Sequence, residues 1–320
     1  MILTVTLNAA LDITYRVPRL ELHGSHRVRE VTERPGGEGV NAARVLAALG
    51  HGTVVTGFAG GTAGERLREL LAAETSVTDA LVATAGATRR TVTVVPECPP
   101  DSGAGAGGGT GSATLFGEPG PHIAPGEWER LLDAYRGLLP GADAVALCGS
   151  LPPGVPVGAY GTLIRAARAA DVPVLLDTGG EPLRRGLAAR PDLVKPNAEE
   201  LAGITGSTEP LHAARLVRRR GARSVVASLG ADGLLALTPD GTWCVPPPRR
   251  LAGAPAGAGD SVVAALLAGL VEGLAWPERL ARAAALAAAT VGAAAAGEFD
   301  RALYEELLPE VTVNPQTVAA

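Results

Sequence analysis

Short apolar runs of strand length alternate along this chain with longer stretches of helical spacing. Ile2 to Leu7, Val40 to Leu49, Thr53 to Phe58 and Ala63 to Ala73 begin the pattern. Ala142 to Leu147, Pro156 to Ala170, Val172 to Leu176, Glu199 to Leu201, His212 to Arg220 and Ser224 to Ala227 continue it. Such alternation predicts an α/β fold, a mostly parallel sheet with helices on both faces. Right-handed crossovers then bring the active groups to the carboxyl ends of the strands. Two stretches interrupt the pattern, Asp12 to Pro35 and Thr88 to Glu118. In the second, β-type runs at Thr91 to Val95 and Ala113 to Phe116 flank a Gly-rich segment, so the two stretches read as a small β-sheet lid (about 12–35 and 88–118) on a single domain spanning 1–320. The low-complexity tract Ser102 to Ser112 is expected to be a mobile hairpin tip. From Ala254 to Leu270 a Gly-containing turn leads into an apolar helix.

Composition narrows the partners. With 320 residues and 47% hydrophobic content the chain can bury a large core. Acidic side chains number 33 against 28 basic ones, and no basic run exceeds Arg218-Arg219-Arg220, which argues against nucleic acid and anionic membranes as partners. Cys98, Cys148 and Cys244 form no CxxC pair and the five histidines are scattered, so neither a zinc site nor a disulfide framework is suggested. The first residues lack the pattern of a signal peptide, and the longest bland stretch, Ala283 to Ala296, is shorter than the roughly 20 residues a bilayer needs; a cytoplasmic protein is expected. Lys195 is the one lysine in a chain otherwise given over to arginine. Drift toward GC-rich codons explains the bias, and a lysine that survives it is a candidate for constraint.

Four segments carry chemistry. Gly257-Ala258-Gly259-Asp260-Ser261 precedes the helix Val262 to Leu270. Small residues at a helix start let N–H groups turn inward as an anion hole for a transferring phosphoryl group, and a carboxylate at its mouth can accept the proton of an attacking hydroxyl. The plain alternative is an Asp N-cap in a Gly-rich turn. Gly36-Gly37-Glu38-Gly39-Val40-Asn41, ahead of the helix Ala42 to Leu49, permits close approach of a ligand, and Asn41 offers a donor and an acceptor to a polyol. Lys195-Pro196-Asn197-Ala198-Glu199-Glu200 sets Asn197 and Glu200 where a strand gives way to a helix, near a hydrated Mg²⁺ or simply as a cap. Ser228-Leu229-Gly230-Ala231-Asp232-Gly233 can hold nucleotide phosphates or be an ordinary hairpin.

In their order and spacing these segments resemble the ribokinase/PfkB family of carbohydrate kinases, and within it the branch of 1-phosphofructokinase and tagatose-6-phosphate kinase. The resemblance covers nearly the whole chain: Thr6-Leu7-Asn8 with Asp12, the GGxGxN segment, Ala87-Thr88-Arg89, Gly149-Ser150-Leu151-Pro152-Pro153-Gly154, Lys195-Pro196-Asn197 with Glu200, the SLGxxG turn, and Gly257 to Asp260. It implies a ribokinase-like αβα sandwich with a β-sheet lid that can pair two chains, ATP as donor and Mg²⁺ as helper. Asp260 would be the catalytic base and Gly257, Ala258 and Gly259 the anion hole. Asn197 and Glu200 would order the metal, and Lys195, Ser228, Gly230 and Gly233 would line the nucleotide. Asp12, Gly37, Glu38 and Asn41 would face the sugar, with Arg89 at the lid position that helps hold a phosphate already on the acceptor.

The main departure is Glu38, where this branch carries lysine facing that phosphate; codon drift would have given arginine. A carboxylate there repels a dianion. Thr91 and Gly117 also stand where asparagine is usual, while Arg89 and Arg90 remain able to clasp a phosphate. The expected acceptor is therefore a neutral or amine-bearing sugar, cyclitol or pseudo-oligosaccharide, an acarbose-type compound among them. Fructose 1-phosphate or tagatose 6-phosphate is the alternative, and a non-catalytic sugar-binding regulator is a third reading, weakened by retention of Asp260, Asn197 and Glu200.

Overall fold

Strand-length runs rich in Val, Leu and Ala become the strands of a sheet covered on both faces. The computed structural model describes residues 1–21, 23–73, 76–96, 113–249, 251, 256–293 and 295–316. The chain begins with β1 (Ile2–Thr6), β2 (Ala10–Val17), β3 (Glu30–Gly36), α1 (Glu38–Ala48), β4 (Thr53–Ala59), α2 (Gly61–Ala72), β5 (Val77–Asp79) and β6 (Val82–Ala83). There follow β7 (Arg89–Pro96), β8 (Thr114–Gly117), α3 (Pro125–Leu138), β9 (Ala144–Cys148), α4 (Ala159–Ala169), β10 (Val174–Asp177), α5 (Gly180–Leu187) and β11 (Leu193–Val194). The remainder holds α6 (Ala198–Thr205), α7 (Pro210–Arg219), β12 (Ser224–Ser228), β13 (Leu234–Thr238), β14 (Gly241–Val245), α8 (Ala258–Val271), α9 (Trp276–Val291), α10 (Arg301–Leu307) and β15 (Asn314–Pro315).

The main sheet runs β15-β14-β13-β12-β11-β10-β9-β1-β4-β5, with β6 also beside β4. Pairing is parallel from β12 through to β5 and antiparallel from β12 to β15. Alternation along each strand divides the core into two layers. Leu3, Val5, Val145 and Leu147 face Leu131, Tyr135, Leu163 and Ile164 on one side. Ile2, Ala144 and Ala146 face the other, where the small alanines let α8 lie close between the sheet and α9. That position explains why α8 is apolar nearly all round.

A second sheet of order β3-β2-β7-β8 stands apart from the first. It is built from the two interrupting stretches, so the small separate sheet expected from sequence is present. The tract Ser102 to Ser112 lies outside the described residues. Two boundaries differ in a way that matters for the site. Helix α1 starts at Glu38, not at Val40 or Ala42, and α8 starts at Ala258, not at Val262. Glycine has poor helix propensity, but both segments follow a glycine that turns the chain directly into the helix, so the chemistry-bearing residues belong to the first helical turns. Strands β5, β6, β13, β14 and β15 and helices α3, α5, α9 and α10 were not among the expected elements; α9 lies in an alanine-rich stretch, and β13 and β14 form a single hairpin. No helix among the described residues is long and apolar enough to cross a membrane.

Candidate active site

Parallel pairing of β1, β9, β10 and β11 aligns their carboxyl ends along one edge of the main sheet, and α1 and α8 bring their N-termini to that edge. Gly37 has φ 105 and Gly257 has φ 82, left-handed values that suit glycine. A Cβ on Gly257 would stand 2.8 Å from Ala296 Cα, so the turn into α8 admits no side chain. The first bond within α8 runs from the Ser261 N–H to the Gly257 carbonyl at 3.0 Å. The N–H groups of Ala258, Gly259 and Asp260 therefore have no helix carbonyl to donate to, one residue further on than the expected set Gly257, Ala258 and Gly259. Asp260 is the third residue of α8 and makes no side-chain cap, so the plain N-cap alternative does not describe it.

Glu38 begins α1, Asp177 ends β10, and their carboxylates lie with that of Asp260 within 4.8 Å of one another. Repulsion of order 1–3 kcal/mol per pair is expected at this spacing in a partly desolvated cleft. Lys195, just past β11, offsets part of it: Nζ lies 3.1 Å from Asp177 Oδ1, both side chains 6% exposed. Burial alone would favour the neutral amine, but the Asp177 carboxylate outweighs it and holds Lys195 as an ammonium. A Cβ on Gly259 would be 3.4 Å from Nζ, so this ammonium also borders the first turn of α8. Burial, opposed by the Asn41 amide and reinforced by the charge of Asp177, leaves the Asp260 carboxyl pushed up to about 7. Glu38 keeps some surface open to solvent. Desolvation in the cleft, and then the Asp177 and Asp260 charges, still push its carboxyl well above the usual range.

The structure thus brings the Glu38 carboxylate beside that of Asp260. Asn41 also meets Asp260: its Nδ2 donates to Asp260 Oδ2 at 2.8 Å, and both residues are buried. Asp12 pairs across the small sheet with Arg34 and Thr91. Burial raises its carboxyl, while a hydrogen bond from Thr91 and the charges of Arg89 and Arg44 pull the other way. The two neighbouring arginines are separated by strand alternation. Arg89 donates to the Asn8 carbonyl at 3.1 Å and to Thr91 Oγ1 at 3.3 Å. Arg90 points to the opposite face and is held by Glu118, Nε to Oε1 at 3.0 Å, so it does not join Arg89 in a clasp. Arg34 of β3 and Arg44 of α1 both pair with Glu298, tying the small sheet to the loop before α10.

On the other side of the cleft, Asn197 caps α6. Its Oδ1 accepts from the Glu200 N–H at 2.9 Å, and Glu200 Oε2 accepts from the Asn197 N–H at 2.8 Å. Asn197 also forms a parallel bridge with Ser228, whose N–H donates to the Pro196 carbonyl at 3.0 Å. Lys195, Asn197 and Ser228 are therefore neighbours, while Gly230 and Gly233 bound a short turn from β12 into antiparallel β13, a hairpin in form. The second oxygen of Glu200 lies against Gly179, where a Cβ would be 3.3 Å from Oε1. The oxygen donors of Asn197 and Glu200, and nearby those of Glu38, Asp177 and Asp260, are the type a hard divalent cation takes, so the residues present fit Mg²⁺. Asp177 was missed from sequence. The run Val172 to Leu176 was read as ending one residue early, and a carboxylate closing an apolar strand was the available signal.

Comparison with known proteins agrees with this geometry. The profile of the pfkB family carbohydrate kinases matches residues 5–99 and 106–301. The tetrameric inhibited form of phosphofructokinase-2 from Escherichia coli is 31% identical, with a TM-score of 0.85 over 96% of this chain and 98% of that one. The same enzyme in complex with fructose-6-phosphate is 29% identical, with a TM-score of 0.84 over 96% and 98%. A possible 1-phosphofructokinase from Thermotoga maritima is 25% identical, with a TM-score of 0.86 over 99% of both chains.

Proposed function

The chain belongs to the PfkB family of carbohydrate kinases, and on that premise we propose that it phosphorylates a hydroxyl of a neutral or amine-bearing sugar, cyclitol or pseudo-oligosaccharide. ATP, used with Mg²⁺ in this family, is the phosphoryl donor. Asp260 takes the proton of the acceptor hydroxyl as the oxygen bonds to the γ-phosphorus. The bond from that phosphorus to the β,γ-bridging oxygen breaks, ADP leaves, and Asp260 returns the proton to solvent. Past the turn at Gly257, the N–H groups of Ala258, Gly259 and Asp260 and the Lys195 ammonium are assigned to the charge that develops on the transferred group. When bound, Mg²⁺ neutralises phosphate charge; Glu200 and Asn197 are the residues we assign to it. Ser228, Gly230 and Gly233 are assigned to the nucleotide, and Asp12 with Gly37 to acceptor hydroxyls. The small sheet acts as a lid over the acceptor, and its exposed Val31, Leu115 and Phe116 suit pairing with the lid of a second chain.

One observation carries the substrate reading: Glu38 places a third carboxylate within 4.8 Å of Asp177 and Asp260. A dianionic acceptor would have to approach that cluster, whereas hydroxyls or an ammonium would be welcomed by it. A second reading is supported by Arg89 and by the fructose-6-phosphate bound to the similar Escherichia coli enzyme. The deciding test is ADP release with glucosamine, myo-inositol, fructose and an acarbose-type pseudo-oligosaccharide against fructose 1-phosphate, fructose 6-phosphate and tagatose 6-phosphate. Higher kcat/KM across the uncharged and cationic set supports the first reading, and higher values across the phosphosugars establish the second.

A further inference from the structure

Successive carbonyls of a strand point to opposite sides, but at the carboxyl end of β9 two of them converge on one hydroxyl. Tyr160 of α4, fully buried, donates to the Cys148 carbonyl at 2.9 Å and to the Gly149 carbonyl at 2.8 Å. Gly149 has φ 92, a left-handed value, and that turn brings its carbonyl round to the phenol. The buried Thr178 adds a second donor, Oγ1 to the Gly149 carbonyl at 2.8 Å, and the Gly149 N–H donates to the Asp177 carbonyl at 2.9 Å. Burial pushes the Tyr160 hydroxyl well above the usual phenol range, so it stays a donor. Both lone pairs of the Gly149 carbonyl are thus engaged, which fixes the plane of the peptide to Ser150. Gly149 lies against Glu38, with a Cβ there 3.8 Å from its Cδ. The peptide is trans, so the Ser150 N–H points away from Tyr160, and among the described residues it meets no acceptor. Ser150 is exposed, and its Oγ accepts from Asn8 Nδ2 at 3.0 Å, which leaves its own proton to donate.

We infer that Tyr160, with Thr178 beside it, is a positioning residue for the acceptor: the two hydroxyls hold the Gly149–Ser150 peptide so that Ser150 turns its N–H and Oγ–H toward an acceptor lying beside Glu38. This rests on the reading of the chain as a kinase whose acceptor meets Glu38. Packing does not account for the phenol oxygen, since phenylalanine would fill the same space. Its partners are the two carbonyls of this one turn. Glu38 suits a group that brings protons, whereas the two donors of Ser150 suit an oxygen that brings lone pairs. An acceptor held at both points is fixed in orientation as well as selected by charge.

The test removes each hydroxyl in the full chain with Tyr160→Phe and Thr178→Val, and uses Thr178→Ser as the conservative variant that keeps the donor. Phosphorylation is followed with the fastest acceptor among glucosamine, myo-inositol, fructose and fructose 1-phosphate, and unfolding in urea is measured alongside. Tyr160→Phe is expected to raise the acceptor KM about five- to tenfold and Thr178→Val about threefold, with kcat and the KM for ATP within about twofold. Thr178→Ser should restore the wild-type acceptor KM. Ser150→Ala should raise that KM by itself and cost less in the Tyr160→Phe background than alone. If Tyr160→Phe folds poorly, Thr178→Val against Thr178→Ser decides the matter. Lower stability in urea with an unchanged acceptor KM would show that the hydroxyls only satisfy two buried carbonyls, and would overturn the inference while leaving the kinase reading intact. Equal rises in the KM for acceptor and for ATP would overturn it as well. No ADP release with any of the four acceptors would instead remove the acceptor reading itself, and the inference with it.

Discussion

Helices α1 and α8 aim their N-termini at the same cleft, yet their first turns are furnished for opposite charges. In α8 the opening residues are small, the N–H groups are free, and the carboxylate of Asp260 is set two residues in, beside Lys195. In α1 the first residue is Glu38, so the positive end of the helix is already met by a carboxylate that belongs to the chain. One helix start keeps its N–H groups clear, and the other is met by a carboxylate of the chain itself. On the function proposed above, the same backbone device would serve the reaction at one end and acceptor choice at the other, with a single side chain making the difference.

Removing the base at the open end should have the largest effect. Asp260→Asn keeps the size of the side chain and is expected to lower kcat by roughly 10²- to 10³-fold while ATP affinity from calorimetry stays within a few-fold. Turnover near the wild-type rate would mean that α8 supplies only an anion hole. Lys195→Met comes next, with kcat/KM for ATP falling about 10²-fold, and with folding weakened by about 3 kcal/mol in urea because Asp177 is left buried without its partner. A variant as stable and active as wild type would show that the ammonium does not serve α8. Protonation does by pH what Asp260→Asn does by substitution. Burial sets Asp260 at about 7, so it is ionised and competent above that value and protonated below it. The acceptor kcat/KM should then fall about tenfold per pH unit on the acid side. A flat profile through neutrality would contradict a base in that range.

Glu38→Lys tests the occupied end. Use of fructose 1-phosphate should rise about tenfold and use of glucosamine should fall by a similar factor, since attraction replaces repulsion for the dianion and the reverse holds for the amine. No change in the ratio would make the two helix starts equivalent after all. The smallest effect belongs to Glu200→Gln, expected to raise the Mg²⁺ concentration for half-maximal rate about threefold with the acceptor KM unchanged. A defect confined to the acceptor would move Glu200 to the other side of the cleft.

The parallel sheet was legible in sequence because strands covered on both faces read as unbroken apolar runs; Ala142 to Leu147 and Ser224 to Ala227 fall within two residues of β9 and β12. The small separate sheet was legible as an interruption of that pattern. Glycine-bearing turns marked α1 and α8, but glycine also hid where those helices begin, since Gly39 and Gly259 argue against helix locally while the turn before them argues for it. That the Asn41 amide meets Asp260 could not be read from spacing. Its bond to Asp260 joins residues far apart in the chain and depends on how α1 packs against α8. The division of Arg89 from Arg90 could have been foreseen from strand alternation alone.

A practical handle follows from the burial of Lys195. It is the one lysine side chain in the sequence, 5% exposed and engaged by Asp177, and the remaining cationic side chains that stay charged at every working pH are arginines. Acylating reagents that prefer primary amines should therefore leave the side chains of the folded protein untouched. Uptake of a label at Lys195 would then report opening around that side chain, giving a count by mass of how often the cleft comes apart.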